Sequence, residues 1–463
     1  MRTQAPGVGV GRAVARAALG SLELTQRVHA EDSELFAGED GRRPRIAVWA
    51  YNCNPELGSE RGATWAFVRT MADRADLVVF HSPTDTEQLT AWARQQAGTA
   101  VEFVEVPELA SLAVIHKWFR FHRQLEFVTY GGWLKGAIER TREEHRTRPF
   151  DAIAHVSYSN YWLPSPAWKL GIPSIWGPAG GGVRTPLRLL PTLGPAGILA
   201  EVERTLGLTV TAMLPATRRT HRRVTVPIVE THETRSRLVK SRRDDALIVN
   251  RVALIDPLTA GEELVDESGP SDPNELLFTS ALWAKKGPRL AVEALAYTDP
   301  PLRLSFVNDG YDQARLQRLA TKRGVADRIS FEGRIPRDEL FSRMRGAAGL
   351  VFTGLREEGG LALAEAMHQG LPVVVLGHGG AGLVARQATD PARVRVVPPG
   401  SLRDTARRLG RAMTELHAAA PTARTPTLDP HPHVEATEEA LARAVPHLRS
   451  ASSQHAPSQG PLR

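Results

Sequence analysis

Short, continuously apolar runs recur along this chain with helix-length segments between them, and that alternation restricts the fold more than any other feature. RIAVWA (45–50), DLVVFHS (76–82), VEFVEV (101–106), DAIAHV (151–156), PSIWG (173–177) and TVPIVE (225–230) form a first series. Runs that are apolar on both side-chain faces belong to parallel strands covered by helices on both sides. The pattern breaks at LTAGEELVDESGPSDP (258–273), which is rich in Gly, Pro, Ser and acidic residues. It then restarts with LLFTSA (276–281), LRLSFV (302–307), RISFEG (328–333), GLVFT (349–353), PVVVL (372–376) and RVRVV (393–397). The expected fold class is therefore α/β, with two doubly wound Rossmann-like sheets facing across a cleft. In such sheets ligands bind beyond the carboxyl ends of the strands.

This division sets the expected domains. Residues 1–43, Gly-, Arg- and Ala-rich, read as a poorly ordered extension with one helix around 12–24. The first domain runs 44–255, a linker 256–273 and the second domain 274–425. HVEATEEALARAV (433–445) marks a last helix, within 426–449, that returns to the first domain, and 450–463 is a low-complexity tail. A chain of 463 residues has room for this, since domains usually run to about 100–200 residues.

Composition removes several classes of function. Cys53 is the only cysteine, which rules out a disulfide framework and a cysteine-based zinc site. The net charge of +7 is spread along the chain, without the dense basic run and interleaved aromatics of a nucleic-acid surface. No stretch approaches the roughly 18 apolar residues of a membrane span. Arg12 and Arg16 interrupt the N-terminus, so it does not read as a signal peptide, and a cytoplasmic protein is expected.

The chemistry concentrates in GLVFTGLREEGGLALAEAMHQGLPVVVL (349–376). A strand ends near Thr353, a loop carries Glu357, Glu358, Gly359 and Gly360, and a helix runs from about Leu361 to a stop at Gly370 before Pro372. The glycines allow a ligand close to the backbone, and the helix N-terminus behind them suits an anion such as a diphosphate. Glu365, one turn in, can accept from two adjacent ribose hydroxyls, and Glu357 can bind sugar hydroxyls. The plainer alternative is a solvated glutamate pair on a surface loop.

Glu357-x7-Glu365, in the setting REEGGLALAEAMHQGLPVV, resembles the signature of the family 4 retaining glycosyltransferases. NELLFTSALWAKKGPRLAVEALA and LRLSFVNDGYDQARLQRLATKRGVADRISFEGRIPRDEL are similar to further blocks of that family. CNPELGSERGATWAFV, HVSYSNYWLPSPAWKLGIPSIWGPAGGG and VETHETRSRL are similar to N-terminal blocks of one of its branches, so the likeness covers roughly 44–400. It implies the GT-B arrangement and a donor site at Glu357, Glu358, Gly359, Gly360, Leu361 and Glu365. It adds Lys286 for the diphosphate, and Gly333, Arg334 and Ile335 near the base. Two positions depart from the family pattern. Ala281 stands where an arginine is expected, with Lys285 or another arginine as the substitute, and Asn308 stands where the family has glycine beside the donor.

In the first half, Gly58, Ser59 and Glu60 follow the first strand, either as an acceptor- or phosphate-binding loop or as an ordinary helix cap. His155 ends DAIAHV, either as a structural residue or, as the resemblance implies, as a catalytic or acceptor-side group. Gly180, Gly181 and Gly182 permit close approach of an acceptor. LAVIHKWFRFHRQL (112–125) is either a core-packed helix or a peripheral contact with the inner membrane face. No Asp-x-Asp pair occurs, so neither a metal nor any other cofactor is expected. The implied activity is metal-independent transfer, with retention, from a nucleoside-diphosphate sugar to a saccharide, lipid-linked or natural-product hydroxyl. The rivals are a silent homologue acting as a partner or regulator, which Ala281 and Asn308 favour, and a nucleotide-sugar epimerase.

Overall fold

The computed structural model describes residues 42–57, 59–95, 100–108, 122–254, 270–299, 301–419 and 427–445. The N-terminal extension with its expected helix at 12–24, most of the linker, the tail and residues 112–121 of the aromatic-basic stretch lie outside them.

Seven parallel strands form the first sheet. They are β1 (Arg45–Trp49), β2 (Asp76–His81), β3 (Val101–Glu105), β4 (Ala152–His155), β5 (Ser174–Ala179), β6 (Val226–Val229) and β7 (Leu247–Ile248), in the order β3-β2-β1-β4-β5-β6-β7. The helices among them are α1 (Ser59–Ala72), α2 (Thr86–Gln95), α3 (His122–Thr147), α4 (Gly194–Met213), α5 (Pro215–Arg223) and α6 (His232–Arg237). The second sheet holds β8 (Asp272–Phe278), β9 (Arg303–Phe306), β10 (Ile329–Phe331), β11 (Ala347–Phe352), β12 (Val373–Leu376) and β13 (Val394–Val397), in the order β10-β9-β8-β11-β12-β13. Its helices are α7 (Pro288–Leu295), α8 (Gln313–Arg323), α9 (Arg337–Gly346), α10 (Leu361–His368), α11 (Gly379–Ala385) and α12 (Leu402–Ala418). The last helix, α13 (His431–Ala444), packs against α1 and the β5–β7 side of the first sheet.

The apolar runs become central strands because each must bury two faces. Ile46 and Val48 of β1 join one core cluster, while Ala47 and Trp49 join another on the opposite face. The cluster holding Ile46 and Val48 continues through Val252–Leu254 to Leu277, Leu350 and Phe352, so a single apolar mass links the two sheets. β8 begins at Asp272, inside the stretch read as linker, and ends at Phe278, which frees Thr279, Ser280 and Ala281 for the loop above it. In both sheets the strand order reverses beside the first strand of the series, between β1 and β4 and between β8 and β11. The crevices opened by these two reversals carry the site.

Candidate active site

A cleft of about 880 Å³ lies between the two sheets. Its lining includes Glu60 beyond β1, Asn160 beyond β4, Thr279, Ser280 and Ala281 beyond β8, and the loop beyond β11. These are the carboxyl ends at the two switch points, where an open parallel sheet places its ligand.

The wall built by the second sheet is held by backbone-level fits. Gly287 has φ 71°, and a Cβ there would lie 2.0 Å from the Thr353 carbonyl oxygen. Only glycine serves at such a position. Thr353 Oγ1 donates to the Gly287 carbonyl at 2.8 Å, and Leu355 N–H donates to the Lys285 carbonyl at 3.0 Å. The lysine turn is thereby fastened to the end of β11. As a result the Lys286 ammonium donates to, and ion-pairs with, Glu357 Oε1.

Gly360, at φ 88°, precedes α10, and no side chain caps that helix. Gly359, Gly360 and Leu361 all face the cleft. Glu365 follows one turn in and is buried. Burial raises its carboxyl above the ordinary range and Arg337 counters this, with Nη2 2.7 Å from Oε1. A carboxylate has more acceptor positions than this one contact uses, so Glu365, which lines the cleft, can still accept from a ligand.

On the facing wall, Glu358 crosses the cleft to the first domain. Its carboxylate accepts from Val183 N–H at 2.8 Å and from Thr234 Oγ1 at 3.2 Å. Burial, and then the neighbouring Glu230, push it up to about 7. Glu230 itself accepts from Arg251 Nε at 2.8 Å. A Cβ on Gly180 would lie 2.8 Å from Glu230 Oε2, so the glycine leaves that carboxylate its space. Arg356 pairs with Glu201 of α4, and Arg204 Nη2 donates to the Gly181 carbonyl at 3.3 Å.

Most of the sequence-derived residues converge on this cleft: Glu60, Gly180, Gly181, Lys286, Asn308, Arg334, Ile335, Glu357, Glu358, Gly359, Gly360, Leu361 and Glu365. Asn308 Nδ2 donates to the Thr279 carbonyl at 3.0 Å, which ties its amide to the floor beside Ala281. Gly58 lies outside the described residues, and Ser59 opens α1.

Four expectations are corrected. His155 does not reach the cleft. It is buried at the end of β4, with Nε2 against the Tyr130 hydroxyl and Nδ1 2.7 Å from Ser165 Oγ, and burial lowers the imidazole to about 4. Both ring nitrogens have partners inside the first domain. Lys285 points away, its Nζ 4.8 Å from the centroid of the Trp283 ring. Gly182 turns its N–H to Thr234 Oγ1 at 3.1 Å instead of lining the cleft. Gly333 forms an open turn at φ 77° outside the lining, next to Arg334, which lines it.

Sequence reading missed Arg204, Glu230, Arg251, Arg337 and Arg356. In an arginine-rich chain none carried a local signal except Arg356, which immediately precedes Glu357. Among the described residues, no group of three or more His, Cys, Asp or Glu could hold a metal, and no helix is long and apolar enough to cross a membrane.

Residues 262–417 match the family model described as "Glycosyl transferases group 1". A 2-deoxystreptamine glucosyltransferase of Streptomyces kanamyceticus is 30% identical over 155 residues, which are 33% of this chain and 38% of that protein. A D-inositol 3-phosphate glycosyltransferase of Thermomonospora curvata is 35% identical over 123 residues, 24% of this chain and 28% of that protein. The chain thus spans well under half the length of these relatives. Among solved structures, the apo form of a lipopolysaccharide outer core galactosyltransferase superposes with a TM-score of 0.50 at 11% identity, covering 89% of this chain and all of that one. The fold is the GT-B arrangement of two Rossmann-like domains.

Proposed function

We propose that this protein is a retaining glycosyltransferase that moves a sugar from a nucleoside-diphosphate sugar to an acceptor hydroxyl without a metal. One observation carries the reading: two carboxylate–cation pairs, Lys286–Glu357 and Arg337–Glu365, flank the Gly359–Gly360 turn at the start of α10 inside the interdomain cleft. Such a turn presents backbone N–H groups and the positive end of a helix to an anion. Lys286 adds a fixed charge for the diphosphate. Arg334 is the candidate for the charge missing at Ala281, because it lines the cleft and makes no ion pair with a described residue. Glu365 accepts from ribose hydroxyls through its remaining acceptor positions. Glu357 orients Lys286 with one oxygen and can take sugar hydroxyls with the other.

Charge grows on the departing diphosphate as the anomeric C–O bond breaks. Cations in a cleft that excludes water are worth more there than in bulk solvent. The acceptor enters from the Gly180–Gly181 wall. Its oxygen bonds to the anomeric carbon on the face the diphosphate leaves, and its proton passes to the departing phosphate oxygen. His155 takes no part in this scheme. A second reading, donor binding without transfer, is favoured by Ala281 and by the Asn308 amide beside it.

Purified protein incubated with a panel of nucleoside-diphosphate sugars, with and without acceptors, tests the proposal. Acceptor-dependent release of nucleoside diphosphate, with the product's anomeric configuration retained by NMR, is expected. Binding without release would establish the second reading, and an inverted product or an isomerised donor would overturn the first.

A further inference from the structure

Helix α4 wears its amphipathicity inside out. Two of its three charged side chains face the protein: Glu201 is buried and pairs with Arg356, and Arg204 reaches the Gly181 carbonyl in the cleft. These contacts fix the roll of the helix. The opposite side carries Leu199, Val202, Leu206, Val210 and Met213, at the three- and four-residue spacing that aligns one face. All five are exposed, with Leu206 and Val210 at 62% and Met213 at 64%. Among the described residues, most of the exposed large apolar side chains fall between Leu187 and Leu214. A contiguous apolar stripe about 21 Å long is not left to water without a partner.

The next helix says which partner. α5, PATRRTHRR, follows after a single residue, Leu214, and contains no acidic residue. It anchors itself through Thr217, Thr220 and His221, and leaves Arg218, Arg219, Arg222 and Arg223 exposed. An apolar stripe about to be buried, with a block of unopposed guanidinium groups beside it, matches acyl chains with anionic headgroups. Glu203, exposed at the edge of the stripe, is the one acidic residue on the outer side of α4.

We propose that the exposed faces of α4 and α5 dock on an anionic lipid bilayer. The surface lies on the back of the helix whose inner side closes the cleft, so an acceptor held at a bilayer would meet the site directly. The sequence offers 112–125 either as a core-packed helix or as such a contact, and this surface belongs to a different element. It stands apart from the transferase reading, because lipid binding is measured without donor or turnover.

Co-sedimentation of the full chain with vesicles of phosphatidylcholine alone, and with about one-third phosphatidylglycerol, tests it. Binding to the anionic vesicles only, weakening as salt rises, is expected. Leu206→Glu/Val210→Glu should lower partitioning by about ten-fold or more, since it puts charge where acyl chains must close. Arg218→Ala/Arg222→Ala should lower it by about 25-fold, from roughly five-fold per basic residue near an anionic surface. These side chains are exposed, so circular dichroism should be unchanged, and Leu206→Ser/Val210→Ser provides a milder second variant. No binding by the wild type, equal binding to both vesicles, or full binding by the stripe variants would overturn the proposal. So would a lipid-free dimer that Leu206→Glu/Val210→Glu converts to monomer, which would show that a second copy covers the stripe.

Discussion

Replacing Lys286 by Met separates the two jobs assigned to its ammonium. In the resting cleft it is the counterion of Glu357, and during transfer it is a fixed charge opposite the departing diphosphate. The Lys286 side chain is 25% exposed and that of Glu357 9%. Breaking a fully buried pair by removing one partner costs about 3–5 kcal/mol, whereas an exposed pair is worth under about 1 kcal/mol. The quarter exposure of the lysine puts the loss at about 1–3 kcal/mol, read as a lowered urea midpoint. Glu357→Gln in the same chain removes the stranded charge and should recover most of that stability. The chemical deficit should not recover. Losing one preorganised charge at the site of developing negative charge typically costs about 10²–10³ in kcat. The assay is urea unfolding paired with kcat at saturating donor for wild type, both single variants and the double variant. Recovery of both stability and turnover in Lys286→Met/Glu357→Gln would refute the reasoning, because Lys286 would then be only a counterion and the diphosphate would be held elsewhere.

Three further outcomes are expected. Glu365→Gln should weaken nucleotide binding about ten- to a hundred-fold by calorimetry, as for loss of a charged hydrogen-bonding partner; an unchanged Kd would remove Glu365 from the donor site. The initial rate should survive EDTA, and a loss restored by Mg²⁺ would contradict charge neutralisation by side chains alone. Glu358 has its folded-state carboxyl raised from 4.5 to about 7, so the folded protein holds a proton that the unfolded chain releases. That contribution is complete below pH 4.5 and is lost as pH rises through 7, so Glu358→Gln should gain stability relative to wild type across that window and plateau above it. A pH-independent difference in unfolding midpoint would show that Glu358 does not titrate there.

The parts legible in sequence are those that one residue's surroundings decide locally. β1, β5, β8 and β12 announced themselves because burial on both faces forces a continuous apolar run. β7, two residues long at the sheet edge, has no such demand and was missed. The Glu357–Glu365 segment was legible because glycines, helix start and carboxylates lie within one short stretch. The arginine partners were not, since Arg356 finds Glu201 and Glu358 finds Val183 across 155 and 175 residues of chain. His155 shows the opposite failure. A strand-end histidine points toward a cleft by topology, but Tyr130 from α3 and Ser165 close over it, and no local pattern encodes that.

On the proposed reading, the arginine that the family resemblance leads one to expect at 281 becomes a question of where positive charge is left uncommitted. Arg337 and Arg356 reach the cleft, but each is balanced by a carboxylate, Glu365 and Glu201 respectively. Arg251 is likewise matched to Glu230. Such pairs hold their guanidinium groups in place, yet the charge they offer an incoming anion is largely spent. Arg334 differs, because it follows β10 at the rim of the same cleft and has no carboxylate among the described residues. Of the cations that line the cleft on the second-sheet side, Lys286 is paired with Glu357, and Arg334 makes no ion pair with a described residue. If the proposed donor site is right, Arg334 can meet a diphosphate without first giving up a partner, while Lys286 is already aimed by Glu357. On the proposed reading, the charge absent from the end of β8 is supplied two strands away, by Arg334 after β10.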